Sequence, residues 1–244
     1  MKRLWQITVI VFMIQMMFAE DAMAQSSRYV ANYNNAQQFM EDVMGRPIYL
    51  RVEYNVEGTP FYPEEYYRAN IYIKNGRIYT GVFVKFNLQE NLVLYKLSEG
   101  TEMSATTAIK RILFTDTSQG WIMHNVIFEN GFPPVDNQNE NTYYEVLDSG
   151  KVKLLKYHAV KFTDKKYYGQ ASITRIFDQT ETYYVCLPGG IMKKIEKGKE
   201  AFLSLFTDKK AEISKYIEGQ KLKCRKENDW KKAIAYYNSL FASS

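Results

Sequence analysis

The chain has 244 residues, with 32 basic against 27 acidic side chains and a formal charge of +5. It is 46% hydrophobic and 24% charged, which excludes a largely disordered or collagen-like polymer and leaves enough apolar material for a sizeable core. The charge is local: residues 193–232 hold 13 basic and 7 acidic side chains, whereas 25–192 hold 17 and 18, so the basic balance of the whole chain is no argument for a nucleic-acid partner.

The first residues read as a secretory signal peptide. Lys2 and Arg3 precede an apolar run from Leu4 to Phe18, and Ala22-Met23-Ala24 places small residues where a signal peptidase cuts. The run carries Gln6, Thr8 and Gln15 and falls short of the roughly 20 apolar residues of a membrane span. No later stretch supplies a transmembrane segment. The expected product is residues 25–244, exported to the periplasm or the extracellular space after cleavage near Ala24.

A leader with a short helix over Gln37 to Met44 occupies 25–45. A β-rich body follows over 46–197. Period-two alternation marks 48–56, 69–88, 91–97 and 107–115 as strands. Asn75-Gly76 inside 69–88 predicts a two-residue type I′ hairpin turn. The stretch 116–142 is turn-rich and is the place where the body would divide into two sub-barrels. Two further hairpins turn at Asp148-Ser149-Gly150 and at Pro188-Gly189-Gly190, with a separate strand over 171–177 between them.

The period changes to 3.6 over 198–244, which predicts a helical C-terminal region. Ala201, Phe202, Leu205 and Phe206 form one apolar face, and Ile213, Tyr216 and Ile217 a second, ending at Gly219. Trp230, Ala233, Ile234 and Tyr237 form a third, capped by Asn228 or Asp229. Lys alternates with Glu and Asp here as on a solvated face; a functional basic patch would centre on Lys221, Lys223, Arg225 and Lys226. The expected architecture is mainly β (an antiparallel sheet, a sandwich or small barrels) with a C-terminal cap of about three short helices, α+β as a whole.

Few residues invite chemistry. His124 and His158 are the only histidines, and no nucleophile elbow, zinc-protease, P-loop or dinucleotide motif is present, so no cofactor and no catalytic residue is assigned. Cys186 and Cys224 form a candidate disulfide in an oxidising compartment, or two separate thiols. Asp136, Gln138 and Glu140 offer oxygen ligands of the kind calcium takes, but the glycine and the acid that a calcium loop needs at its sixth and twelfth positions are replaced by Asn141 and Leu147. Glu64 and Glu65 lie among aromatics, either as an exposed turn or as acids for glycoside hydrolysis.

The 20 tyrosines are the unusual feature. Many come in pairs, and a pair in a strand puts one ring on each face, so one can join the core while the other meets a partner. Tyr66, Tyr67, Trp121, His124, Tyr143 and Tyr144 are the candidate partner-binding residues.

Two stretches, 131–158 and 208–240, are similar to a recurrent family of exported Bacteroidota proteins of unknown function, whose β-rich body also ends in a helical tail closing on a sequence like Tyr236 to Leu240. That resemblance covers most of the exported chain and implies an address and an architecture, not a reaction. Residues 73–94 resemble the first motif of Sm-type small barrels, through Gly76, Gly81 and Asn91. The acidic position of that motif is Asn87 here, and "IKRIL" (109–113) lacks the glycine of the second motif. The resemblance implies a strongly bent strand pair, not RNA binding. The function these features favour is non-catalytic binding of an envelope protein or glycan; the alternative is a hydrolase of an extracellular polymer that uses dispersed carboxylates.

Overall fold

A computed structural model describes residues 45–47, 55–116, 123, 125–169 and 172–242. The signal-peptide residues, the 37–44 helix, most of the 48–56 strand, Trp121 and His124 lie outside these residues. The protein is mainly β, with a mostly antiparallel mixed sheet and three C-terminal helices.

Among the described residues twelve strands follow in chain order: β1 (Gly45–Pro47), β2 (Asn55–Glu57), β3 (Phe61–Ile73), β4 (Ile78–Asn87), β5 (Leu92–Lys96), β6 (Glu102–Ala105), β7 (Ile109–Phe114), β8 (Ile127–Glu129), β9 (Tyr144–Asp148), β10 (Lys153–Lys165), β11 (Thr174–Leu187) and β12 (Ile191–Lys194). They join in the order β1-β6-β5-β4-β3-β7-β8-β9-β10-β11-β12, with β2 added in parallel to β11. Among the described residues no pairing joins the two ends of this path. The strands before and after 116–142 belong to one continuous sheet, linked through β8 and β9.

Each half has its own core. The first packs Tyr67, Ile71, Val84, Phe86, Ile112, Phe114 and Phe128, all buried, on one face. In the second half, β11 alternates strictly. Tyr184 and Cys186 turn to one cluster with Phe132, Tyr144 and Leu155, while Tyr183, Val185 and Leu187 turn to the cluster that the helices cover.

Three local expectations are corrected. The Asn75-Gly76 turn is not type I′: only Gly76 has positive φ, at 91°. The Gly76 N–H donates to the Ile73 carbonyl (3.0 Å) and the Ile73 N–H to the Arg77 carbonyl (2.9 Å), so the loop is a three-residue turn closed by a glycine bulge. The residues 61–68 are not a turn but the start of β3, whose register against β4 jumps from Tyr62–Phe86 to Tyr67–Val84. That bulge absorbs Pro63, Glu64 and Glu65 and disguises the strand. Finally, the strand expected over 171–177 is not separate: Thr174 to Phe177 open β11, which pairs with β10 continuously from Lys165–Thr174 to Lys153–Cys186.

The helices are α1 (Lys199–Leu203), α2 (Lys210–Gly219) and α3 (Glu227–Ser239). The third starts before the expected cap, after Lys226, because Asp229 sits in the first turn and its Oδ2 reaches back to the Arg225 N–H at 3.4 Å. Phe202, Ile213, Ile217, Trp230, Ala233, Ile234 and Tyr237 bury themselves on Val152, Leu154, Val185 and Ile195. None of these helices is long enough to stand alone in water.

Asn238 locks α3 to the β9–β10 hairpin. Its Oδ1 accepts from the Val152 N–H (3.0 Å), and its Nδ2 donates to Asp148 Oδ1 (2.9 Å) and to the Val152 carbonyl (3.0 Å). Gly150 leaves the space: a Cβ there would lie 2.6 Å from Asn238 Cγ. Gly150→Ala is expected to displace this side chain and destabilise by about 1–3 kcal/mol. Urea denaturation reads the loss, and an unchanged midpoint would remove the lock from the account.

Candidate functional site

The sheet brings charged groups together where its two halves meet. Lys156 stands on β10 opposite Glu145 of β9 and Tyr183 of β11, and His158 stands opposite Glu181. All five belong to the face that also receives α3. Lys156 Nζ lies 2.8 Å from Glu227 Oε2, 3.4 Å from Glu145 Oε2 and 3.7 Å from Glu181 Oε1. His158 Nε2 is 2.7 Å from Glu145 Oε2. The Tyr183 hydroxyl lies 2.6 Å from Glu181 Oε2 and 2.9 Å from Glu227 Oε2, which share its single proton. On the side of the first core, the Tyr62 ring stacks on His158 at 4.4 Å, and Phe128 packs beyond it.

Burial sets the electrostatics. Lys156, His158 and Glu145 are all buried. Burial alone would raise the Glu145 pKa, but the His158 hydrogen bond and the Lys156 charge outweigh it and hold the carboxyl below its ordinary range. Burial likewise disfavours charged Lys156, yet Glu227, Glu145 and Glu181 together raise its pKa. Burial, and then the Glu145 charge, push Tyr62 up to about 12. Hydrolysis by paired acids needs one carboxyl with a raised pKa. Of the three carboxylates in this network, the best-buried, Glu145, is held ionised, and the other two are bonded to Lys156 and Tyr183. The network is a fastening between two half-sheets and a helix.

The sequence-predicted site residues are scattered. Tyr66, Tyr67 and Tyr144 are buried, so neither ring of the Tyr66-Tyr67 pair is free for a partner. Lys85 and Lys96 lie over the Tyr66 ring, each at 4.5 Å. Tyr143 is half-buried against the first core and donates to the Ile109 carbonyl at 2.8 Å. Glu64 and Glu65 are exposed neighbours on the β3 bulge.

Asp136 and Gln138 do come together, but on the Tyr184 hydroxyl, at 2.8 and 3.3 Å, while Glu140 is exposed. Among the described residues no three His, Cys, Asp or Glu side chains converge as a metal would require. Cys186 and Cys224 are free thiols. They belong to clusters on opposite faces of β11, so the strand itself separates them. Burial raises both thiol pKa values, Cys224 to about 11, which leaves two unreactive core side chains.

Among the described residues, the basic patch is a predicted group that the structure gathers whole. Lys221, Lys223, Arg225 and Lys226 line one open cavity of about 390 Å3 with Asp229. A neighbouring cavity of about 710 Å3 shares Arg225 and Lys226 and is floored by Tyr183 and Trp230.

A second surface feature lies along the β10–β11 hairpin. Its inner half is core; farther out, on its arm, Lys161 to Lys165 of β10 and Asp178 to Glu181 of β11 are exposed, while Arg175 to Phe177 are half-buried and Thr174 is buried. Phe162, Tyr167, Tyr168 and Ile173 are exposed on it, and Val56 of β2 beside it. Arg175 lies 4.1 Å over the Phe162 ring and holds Asp164 by two hydrogen bonds of 2.8 Å.

Searched against protein-family models, curated proteins and solved structures, the chain matches none.

Proposed function

We propose that this chain is an exported, non-catalytic binding protein of the cell envelope, which meets a protein or glycan partner through the β10–β11 arm. The exposed apolar set on the arm carries the reading. Phe162, Tyr167, Tyr168, Ile173 and Val56 leave large apolar side chains in water next to a guanidinium, the mixture that anchors interfaces. The signal-peptide pattern of the first 24 residues supports the address. Among the described residues no helix is long and apolar enough to cross a membrane.

In-cell photocrosslinking tests it. A photoreactive residue at Phe162 or Tyr168 is expected to give a reproducible adduct, while one at the exposed Glu90, on the β4–β5 turn, gives none. Equal labelling from all three positions, or none from the arm, would overturn the reading.

A further inference from the structure

The loop from Gly219 to α3 places four cations in six residues. Two residues with positive φ, Lys221 at 53° and Cys224 at 52°, turn the backbone twice. The Lys221 N–H donates to the Glu218 carbonyl (3.0 Å), and the Gly198 N–H to the Cys224 carbonyl (2.9 Å). So held, the loop lines one cavity with Lys221, Lys223, Arg225 and Lys226.

Of the acids that line the two cavities, all but the exposed Glu196 are committed elsewhere. Asp229, the only acid in the lining, is 7% exposed and bonded to the loop's own backbone. In the adjoining cavity, Glu227 and Glu181 turn inward to Lys156 and Tyr183. The helical region forms the pairs Lys199–Glu218 and Lys209–Glu212, and among the described residues no carboxylate pairs with the four cations. The buried lysine thus absorbs negative charge from within and leaves the outer cations without counter-ions.

We propose that this cavity binds a phosphate group carried by a sugar. Four cations in one six-residue loop, lining one cavity, suit a compact dianion; a single carboxylate would use only part of the set. The cavity volume lies in the range of small-ligand sites. Thr182 and the exposed Glu196 of the adjoining cavity offer partners to sugar hydroxyls. The exposed Glu196 beside the four cations interrupts the uniformly basic face that a membrane plane calls for, and so favours a single headgroup. The site is distinct from the arm, and neither depends on the other.

Amide chemical shifts of the full exported chain, titrated with glucose 6-phosphate, glucose and glucuronate, test the site, with pelleting on anionic phospholipid vesicles in parallel. Glucose 6-phosphate is expected to shift the Arg225 to Asn228 amides saturably, about tenfold or more tighter than glucuronate, with no response to glucose. Arg225→Gln with Lys226→Gln should weaken that binding about tenfold or more and leave the unfolding midpoint and the arm crosslinks unchanged. No saturable shift, equal affinity for glucuronate, or binding to vesicles alone would each overturn the proposal.

Discussion

Lys156→Met is expected to lower the free energy of unfolding by about 3–5 kcal/mol at neutral pH. The methionine keeps most of the stem volume and removes only the charge, so the loss is electrostatic rather than a packing defect. Without the ammonium, Glu145 retains His158 but stays buried as an anion in the seam between the half-sheets. Glu227 has a side chain 31% exposed and can turn to water, so most of the cost falls on Glu145. Lys156→Met combined with Glu145→Gln should recover part of it, because the partner left behind is then neutral.

The pH dependence of that loss has a defined sign. The Glu145 pKa is lower in the folded protein than its ordinary value of 4.5. Its pairing therefore stabilises the fold above that pH and ceases to do so as the pH falls through the folded value. The Lys156 pKa is raised above 10.5, so its contribution holds below that pH and disappears only as the pH rises through the folded value. The difference between wild type and Lys156→Met should thus be flat between about pH 5 and 10 and shrink on either side. Chemical denaturation across this range measures it; a difference that persists unchanged at pH 3 would mean that the methionine perturbs packing instead.

This network was barely legible in the amino-acid order. Its members lie on β9, β10, β11 and α3, and only their registers bring them together. The one available sign was a lysine on the same face of β10 as Leu154, in a run whose alternate residues are core. Segments with a single solvent regime are the legible ones: β7 largely alternates, β5 is a short apolar run buried along its middle, and the three helices repeat at helical spacing. The readings failed where a strand changes regime along its length. β11 was divided because the polar run Asp178-Gln179-Thr180-Glu181 looks like a break, yet it is where the hairpin leaves the core and both faces meet water. β3 was truncated because Pro63 and two glutamates sit in a bulge. The tyrosine pairs misled for the same reason: at the bulge, alternation fails and both Tyr66 and Tyr67 are buried. The basic patch was readable because its four cations are neighbours in the chain, and a short loop keeps them together whatever the rest of the fold does.

Trp230→Ala is expected to cost about 3–5 kcal/mol, because a large buried ring is lost and the space it leaves cannot fully collapse. Trp230 is 3% exposed and packs its ring 4.9 Å from that of Tyr183. It is thus the side chain of α3 that presses on β11, in one cluster with Ile213, Ile217, Ala233, Ile234 and Tyr237. Losing it also frees Tyr183, whose hydroxyl holds Glu227 and Glu181, so the damage should reach the charged seam. Trp230→Phe separates the two effects. The indole N–H is buried without an acceptor, and removing an unsatisfied donor returns part of the packing loss. The phenylalanine variant should therefore cost about 1 kcal/mol or less, as measured by urea denaturation. If it instead matched the alanine variant, the indole nitrogen would have to hold a bond, through an ordered water, that matters as much as the ring.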